Sequence, residues 1–360
     1  MKTLLAKSYC ISIICIVVSL IVASPSLAKQ YAYLIGYDGT VVKLDVGTDT
    51  IASTSNIKDV RDIQDVTVDD TKKLLYIAYG RYATFGVSVY NLMTLGFKKD
   101  LGITAGSYDV RIIAPPLSNK FFVDWWDDTR NDRFFTSFNA TTFAKIADLS
   151  PYPIITFQIF YSKDKTKLYS IDPSAIDVYN TDNLNLLKSI SLKEIFTPGI
   201  FGYGIDDYEN ERILVVENVK KAREEPNNYT LYTYSIESGQ KSQKILTGMK
   251  GESKLSPNGD KIFFSEEEVI FGADGSVEYV KSLGHLRVYN VATGEKRGTV
   301  NFTVDKGSGI AGVHPSGNKV YMTGKITGVN SLLVMDVVNF KVVKIIKIPD
   351  TIQSMEFWTE

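Results

Sequence analysis

The stretch TIQSMEFWTE, Thr351–Glu360, ends the chain and reads as the first strand of a repeat that does not continue. Met355 and Phe357 alternate with polar residues, as Val66 and Val68 or Ala311 and Val313 do near the starts of earlier units. Such a period of two marks an extended strand with one buried face.

The units it belongs to have a clear pattern. A polar turn followed by an apolar-aromatic strand recurs in VDDTKKLLYIA, PPLSNKFFV, SKDKTKLYSI, DYENERILVV, SPNGDKIFFS and HPSGNKVYMT. Equivalent positions are Tyr76, Phe122, Tyr169, Leu214, Phe263 and Tyr321, at separations of 46, 47, 45, 49 and 58 residues. A second strand follows with a shared ending: VSVYN, FTSFN, IDVYN, LYTYS, LRVYN and LLVMD. A third comes after a short polar turn. The first unit, from Tyr31 to Ser55, has the later strands but nothing before it to serve as a leading strand.

Repeats of this period that alternate β-branched and aromatic residues between Gly, Asn, Asp and Pro turns are small antiparallel sheets. One such sheet alone leaves both faces apolar. Arranging seven around an axis buries the faces and leaves only short edges. The expected fold is therefore all-β, a seven-bladed β-propeller of four-stranded antiparallel blades. Thr351–Glu360 then supplies the strand that the first blade lacks and closes the ring.

The stretch GIAGVHPSGNKVYMTG in the last unit resembles the signature of the YVTN-type β-propellers, and GESKLSPNGDKIFFS resembles it less closely. As a repeat pattern the resemblance covers residues 29–360. It implies an exported protein, and some such propellers are subunits of periplasmic quinoprotein amine dehydrogenases. A propeller fold by itself implies no activity.

The N-terminus agrees with export. Lys2 and Lys7 precede the 13-residue run Ile11–Ala23, then Pro25 and the small residues Ser26 and Ala28. This is the pattern of a cleaved secretory signal peptide over residues 1–28. The run is shorter than the roughly 20 residues that cross a bilayer. The expected mature chain is one domain, 29–360, secreted or periplasmic, with no membrane insertion after cleavage. Both cysteines, Cys10 and Cys15, lie in the leader. Removing Lys2 and Lys7 leaves 38 basic against 41 acidic residues, a balance that gives nucleic acid no purchase.

Chemistry-bearing motifs are scarce. Beyond the leader there are only two histidines, His285 at a strand entry and His314 in a turn, and neither has the company a triad or zinc site needs. No catalytic residue, metal site or cofactor is expected. Polar residues near the starts of the leading strands, Asp65, Arg111, Gln158, Tyr203 and Glu252, are placed around the mouth of the axial channel. They could suit oxygen-only metal binding, but Arg111 among the acids argues against a bare cation cage.

Loop length carries the functional expectation. The joins between the second and third strands are short in blades one and four. They are read as long loops in blade three (DWWDDTRND), blade five (ENVKKAREEPNNY) and blade six (EEEVIFGADGSVEYVKSLG). Loops of this length in a compact repeat fold are commonly functional. The candidate binding residues are Trp125, Trp126, Asp127 and Arg130 in blade three, Lys220 and Arg223 in blade five, and Glu267 in blade six. Adjacent tryptophans on a strand face opposite ways, so one of them must lie outside a sheet interface or beneath a loop.

Two functions follow. The first is an exported, non-enzymatic binding or scaffold propeller that holds a partner protein or glycan on the loop-walled face. The second, implied by the resemblance, is a propeller subunit of an amine dehydrogenase-like redox complex whose cofactor belongs to a partner subunit. A metal-dependent hydrolase rests only on the channel carboxylates. Intact mass spectrometry of the exported protein should find a thiol-free chain beginning at Lys29. A mass that includes residues 1–28 would indicate an anchored protein.

Overall fold

The computed structural model describes residues 29–57, 62–81, 84–101, 110–113, 119–127, 132–152, 158–171, 174–192, 203–207, 210–218, 229–246, 252–271, 277–349 and 352–359. These form seven antiparallel sheets of four strands each. Six blades use consecutive strands. In the first, the C-terminal strand Ile352–Thr359 pairs with Gln30–Gly36 ahead of the next two strands.

Alternation along the second strand of each blade builds the ring. Tyr33, Tyr76, Phe122, Tyr169, Leu214, Phe263 and Tyr321 are all buried. Each joins an apolar cluster shared with the following blade. Their chain neighbours Leu75, Phe121, Leu168, Ile213, Ile262 and Val320, with Leu34 in blade one, face the preceding blade in the same seven clusters. The core is therefore seven interfaces, each contributing about 1.5–3 kcal/mol per fully buried large side chain.

The shared VYN-type endings are the caps of the turns into the outer strands. Oδ1 of Asp45, Asn91, Asn139, Asn180 and Asp336 accepts backbone N–H groups two and three residues on. Four residues after each ending the chain turns left-handed, at Asp49, Leu95, Phe143, Leu184, Gly239, Gly294 and Phe340. This geometry tolerates Asn and Gly best, so the four large apolar residues there are held by packing rather than by preference. Leu184, for example, lies in the core between blades three and four.

On the same side of the ring, a basic residue two positions before the ring aromatic reaches the next blade's turn. Lys120 Nζ meets Asp182 Oδ1 at 2.7 Å, Lys261 Nζ meets the Gly317 carbonyl at 3.3 Å, and Lys319 Nζ meets Asp49 Oδ2 at 2.6 Å.

The last of these belongs to the closing seam. Asp49 is buried, and its other oxygen accepts the Tyr321 hydroxyl at 2.9 Å. Blade seven is thus latched to blade one independently of the terminal strand. Within that strand, Met355 and Phe357 pack into the blade seven side. Gly312 has no side chain because a Cβ there would stand 2.9 Å from the Phe357 ring and 3.1 Å from Met355 Sδ. Trp358 faces the other way, 2 % exposed, stacked on Tyr31 at 5.5 Å, with the Lys73 ammonium 4.9 Å from its ring. His314 meets Phe357 edge-on at 6.2 Å, and burial and the Lys319 charge hold its pKa below the ordinary 6.5.

Deleting residues 352–360 should uncover Leu34 and Tyr31 and leave an unpaired strand edge. Loss of the cooperative melt, or aggregation, is the expected result. Asp49→Asn should be milder, lowering unfolding free energy by about 1–3 kcal/mol. A soluble truncation with an unchanged melting temperature would show that the ring does not need its clasp.

Candidate functional site on the hairpin face

The hairpins that join second and third strands open on the face where the innermost strands begin, and their heights differ. Counted from the ring aromatic, the second strand ends after two residues in blade four, at Ile171. It runs five residues beyond in blade seven, to Ile326, where Thr327 and Gly328 make a tight turn with positive φ at both positions. In blade six it runs eight beyond, to Phe271.

That last value corrects the sequence reading. The blade six insertion is not a loop but a two-stranded ribbon, with Glu267 opposite Ser282, Glu268 opposite Lys281, Val269 opposite Val280 and Ile270 opposite Tyr279. Val-Ile-Phe and Val-Glu-Tyr-Val on either side of Gly-Ala-Asp-Gly are two strand formers around turn residues, a hairpin in miniature. At about 3.3 Å per residue, the six extra positions raise this ribbon roughly 20 Å above the top of blade four.

Blade three is corrected in the same way. Its strands pair without a register shift up to Asp127 opposite Asp132, which leaves only residues 128–131 as the join. Arg130 falls there, and Lys220 and Arg223 fall in the blade five join; all three lie outside the described residues.

The two tryptophans face opposite blades, as strand geometry requires. Trp125 packs against the core between blades two and three and stacks on Phe134 at 4.7 Å. Its indole N–H donates to Thr136 Oγ1 at 3.3 Å, and Thr136 in turn donates to Asp148 at 2.8 Å. Trp125 is therefore occupied in structure. Trp126 shares the parity of Phe122 and faces blade four, half-buried, opposite Arg133 in register. Asp127 is 2 % exposed, so its carboxylate is not presented to a partner, contrary to expectation.

Beneath Trp126 lies a buried ion pair that the sequence reading missed. Arg133, 4 % exposed, directs Nε to Asp124 Oδ1 at 2.6 Å, and its terminal nitrogen bonds Oδ2 of the same wholly buried carboxylate. A charged residue inside each of the apolar runs FFVDWW and DRFFTSF was the available signal. Arg111 stands opposite Asp124 at the start of the innermost strand.

The channel-mouth residues have structural employment. Asp65 Oδ2 accepts the Ile112 N–H at 2.6 Å, and Glu252 Oε2 accepts the Ile310 N–H at 2.8 Å, each in the next blade's innermost strand. Lys254 adds a bond to the Ala311 carbonyl at 3.0 Å. Among the described residues no group of acids and histidines is arranged to hold a metal ion. Gln158 and Tyr203 begin the innermost strands of blades four and five, opposite Ile171 and Val216. His285 does not open a strand but lies inside Val277–Asn290, bonded to Asn301 at 2.8 Å, whereas His314 bonds Ser316 at 2.8 Å within its turn.

An open cleft of about 610 Å³ lies between blades four and five, lined by Ser174, Lys188, Ser189, Ser191 and Tyr234 among others. Ser174 and Ser191 lie at the low top of blade four, where the second and third strands join and the outer strand ends.

With the geometry in place, the chain defines itself as a seven-bladed β-propeller with one uneven face. No protein-family model matches it, and no curated protein does either. Among solved structures, a protein from Lactobacillus plantarum superposes with a TM-score of 0.61 at 12 % identity, covering 92 % of this chain and 99 % of its own. Kluyveromyces lactis Hsv2 gives 0.48 at 13 % identity, over 77 % of this chain and 74 % of its own. At such identities the likeness to the first is one of fold alone.

Because both partners of the blade three pair are desolvated, removing one leaves the other a buried charge without its two-point contact. Arg133→Met should destabilise the fold by about 3–5 kcal/mol, and Asp124→Leu with Arg133→Met together should recover much of that loss. Urea melts of the single and double variants measure this. An equal or greater loss in the double variant would mean that the pair is not the unit.

Proposed function

We propose that this chain is an exported binding propeller of the YVTN type, without catalysis of its own, that holds a partner protein or glycan on its hairpin face. The observation that carries this reading is the unevenness of that face: a ribbon stands on blade six while blades one and four stay low. A ring built for packing alone has no use for a ribbon whose outer parts pair with no other strand among the described residues, whereas such edges and the concavity beside them are features of recognition surfaces. Among the described residues, the opposite face carries tight, self-capped turns.

A second reading, a propeller subunit of an amine dehydrogenase-like redox complex, draws on the ten-residue join 219–228 of blade five with Lys220 and Arg223. It uses the same face and differs only in the partner. The carboxylate-only hydrolase draws least support, since among the described residues no three acids or histidines stand together as a metal site would need.

The test shortens the ribbon. Replacing residues 268–281 by Asn-Gly keeps the pairing of Lys261–Ser265 with Leu286–Asn290 that anchors blade six. Wild type and shortened chain, matched for melting temperature, are then compared for capture from periplasmic extract and on a glycan array. The shortened chain should lose what wild type captures, while Asn318→Ala on the opposite face keeps it. Retention by the shortened chain with loss in Asn318→Ala would place binding on the turn face.

A further inference from the structure

We propose that the rim of the ring at blades six and seven docks edge-on against an anionic phospholipid surface. The rim is neither of the two faces described above, and docking there does not depend on what the hairpin face holds.

Charge on the outer strands points to it. Those of blades one to three, Thr50–Asn56, Phe97–Asp100 and Lys145–Tyr152, carry three lysines and two aspartates between them. Those of blades four to seven, Leu186–Ser191, Lys241–Leu246, Lys296–Asn301 and Lys341–Lys347, carry eight cations and no acid. The near neutrality of the whole chain conceals this asymmetry. The acids closest in sequence belong to the turns. Glu237 pairs with Lys167, Glu295 bonds Thr293, and Asp336 caps two amides opposite Lys341 in register.

Blades six and seven hold five of the eight cations. Lys296, Arg297, Lys341 and Lys347 are exposed, whereas Lys344 bonds the Thr48 carbonyl at 3.1 Å across the closing seam. Because the ring curves, a flat surface meets two neighbouring blades at once. No other adjacent pair of outer strands carries as many cations.

Backbone register decides how this rim can be approached. In six blades the pairing of the third strand with the outer strand slips by one residue. The extra residues are Ala52, Lys98, Ile146, Leu187, Arg297 and Val343, all exposed. A bulge on an edge twists it and discourages the addition of a further strand. A partner at blades six and seven is therefore met by side chains rather than by backbone pairing, which disfavours an extended peptide.

The apolar residues among the cations select the partner. Val343 is 43 % and Ile345 53 % exposed, between Lys341 and Lys347. On a lipid surface the ammonium and guanidinium groups meet phosphates, while aliphatic side chains and lysine stems enter the headgroup–acyl boundary. A soluble polyanion such as an acidic polysaccharide or a nucleic acid would use the charges and leave Val343 and Ile345 idle. Edge-on docking leaves the hairpin face open beside the membrane.

The test sediments the purified protein with vesicles of phosphatidylcholine alone, or of phosphatidylcholine mixed with phosphatidylglycerol, at low and high salt. The protein should follow only the anionic vesicles, and less so at high salt. Lys296→Glu with Arg297→Glu should weaken this binding about tenfold or more. Lys98→Glu with Lys99→Glu makes the same charge change on blade two and should leave binding near the wild-type value. Val343→Ser with Ile345→Ser should weaken vesicle binding without changing retention on heparin. Thermal melts check that each variant is folded. A wild-type chain that ignores anionic vesicles overturns the proposal, as does an equal loss in the blade two variant. Retention on heparin with vesicle binding indifferent to Val343 and Ile345 would identify a soluble polyanion instead, and would overturn the membrane assignment.

Discussion

Everything in this molecule depends on one antiparallel pairing, between Ile352–Thr359 and Gln30–Gly36. Seven blades stacked in a row leave two apolar faces without partners, and only a closed ring removes both. The terminal strand does this with both sides of its backbone pleat. Met355 and Phe357 complete the interface with blade seven, and Trp358 completes the interface with blade two. A single strand therefore seals two of the seven interfaces, and the Lys319–Asp49–Tyr321 cluster holds the same joint from outside.

The two faces of the ring are built on different terms. On the turn side the caps follow one plan: an Asx oxygen over two amides in five blades, a left-handed residue in all seven, and in several a basic side chain from the preceding blade. Such repetition fixes the spacing between blades and leaves little freedom for variation. On the hairpin side nothing in the ring constrains length, because second and third strands can run on together without disturbing an interface. That is where the blade six ribbon departs from the pattern, and where binding is expected of a scaffold whose body is committed to packing.

The architecture was legible because it is periodic. Residues such as Tyr76 and Tyr321 sit in equivalent surroundings, so their spacing announces the ring, and the missing leading strand announces the closure. The site was less legible for the opposite reason. The Asp124–Arg133 pair and the Asp49 latch join residues whose proximity only the fold creates. Asp65 and Glu252 looked like channel ligands because their bonds to the next blade's amides cannot be seen along the chain. The blade six ribbon was read as a loop because its many charged residues masked the strand pattern of VIF and VEYV. Trp125 and Trp126 were both legible as candidates, and only the fold shows Trp125 engaged in packing through its stack with Phe134.

The pairing of Gln30 with Thr359 also has a consequence in time. Blade one is assembled from Gln30–Gly36 and Ile352–Thr359, so it cannot be completed until residue 359 has been synthesised. Blades two to seven can form as they appear, but their stack waits with an open apolar end for a strand more than three hundred residues away. Contacts of such long range are slow to form. The interval before closure is when this protein is most exposed to aggregation and proteolysis, and when a chaperone that shields strand edges would matter most.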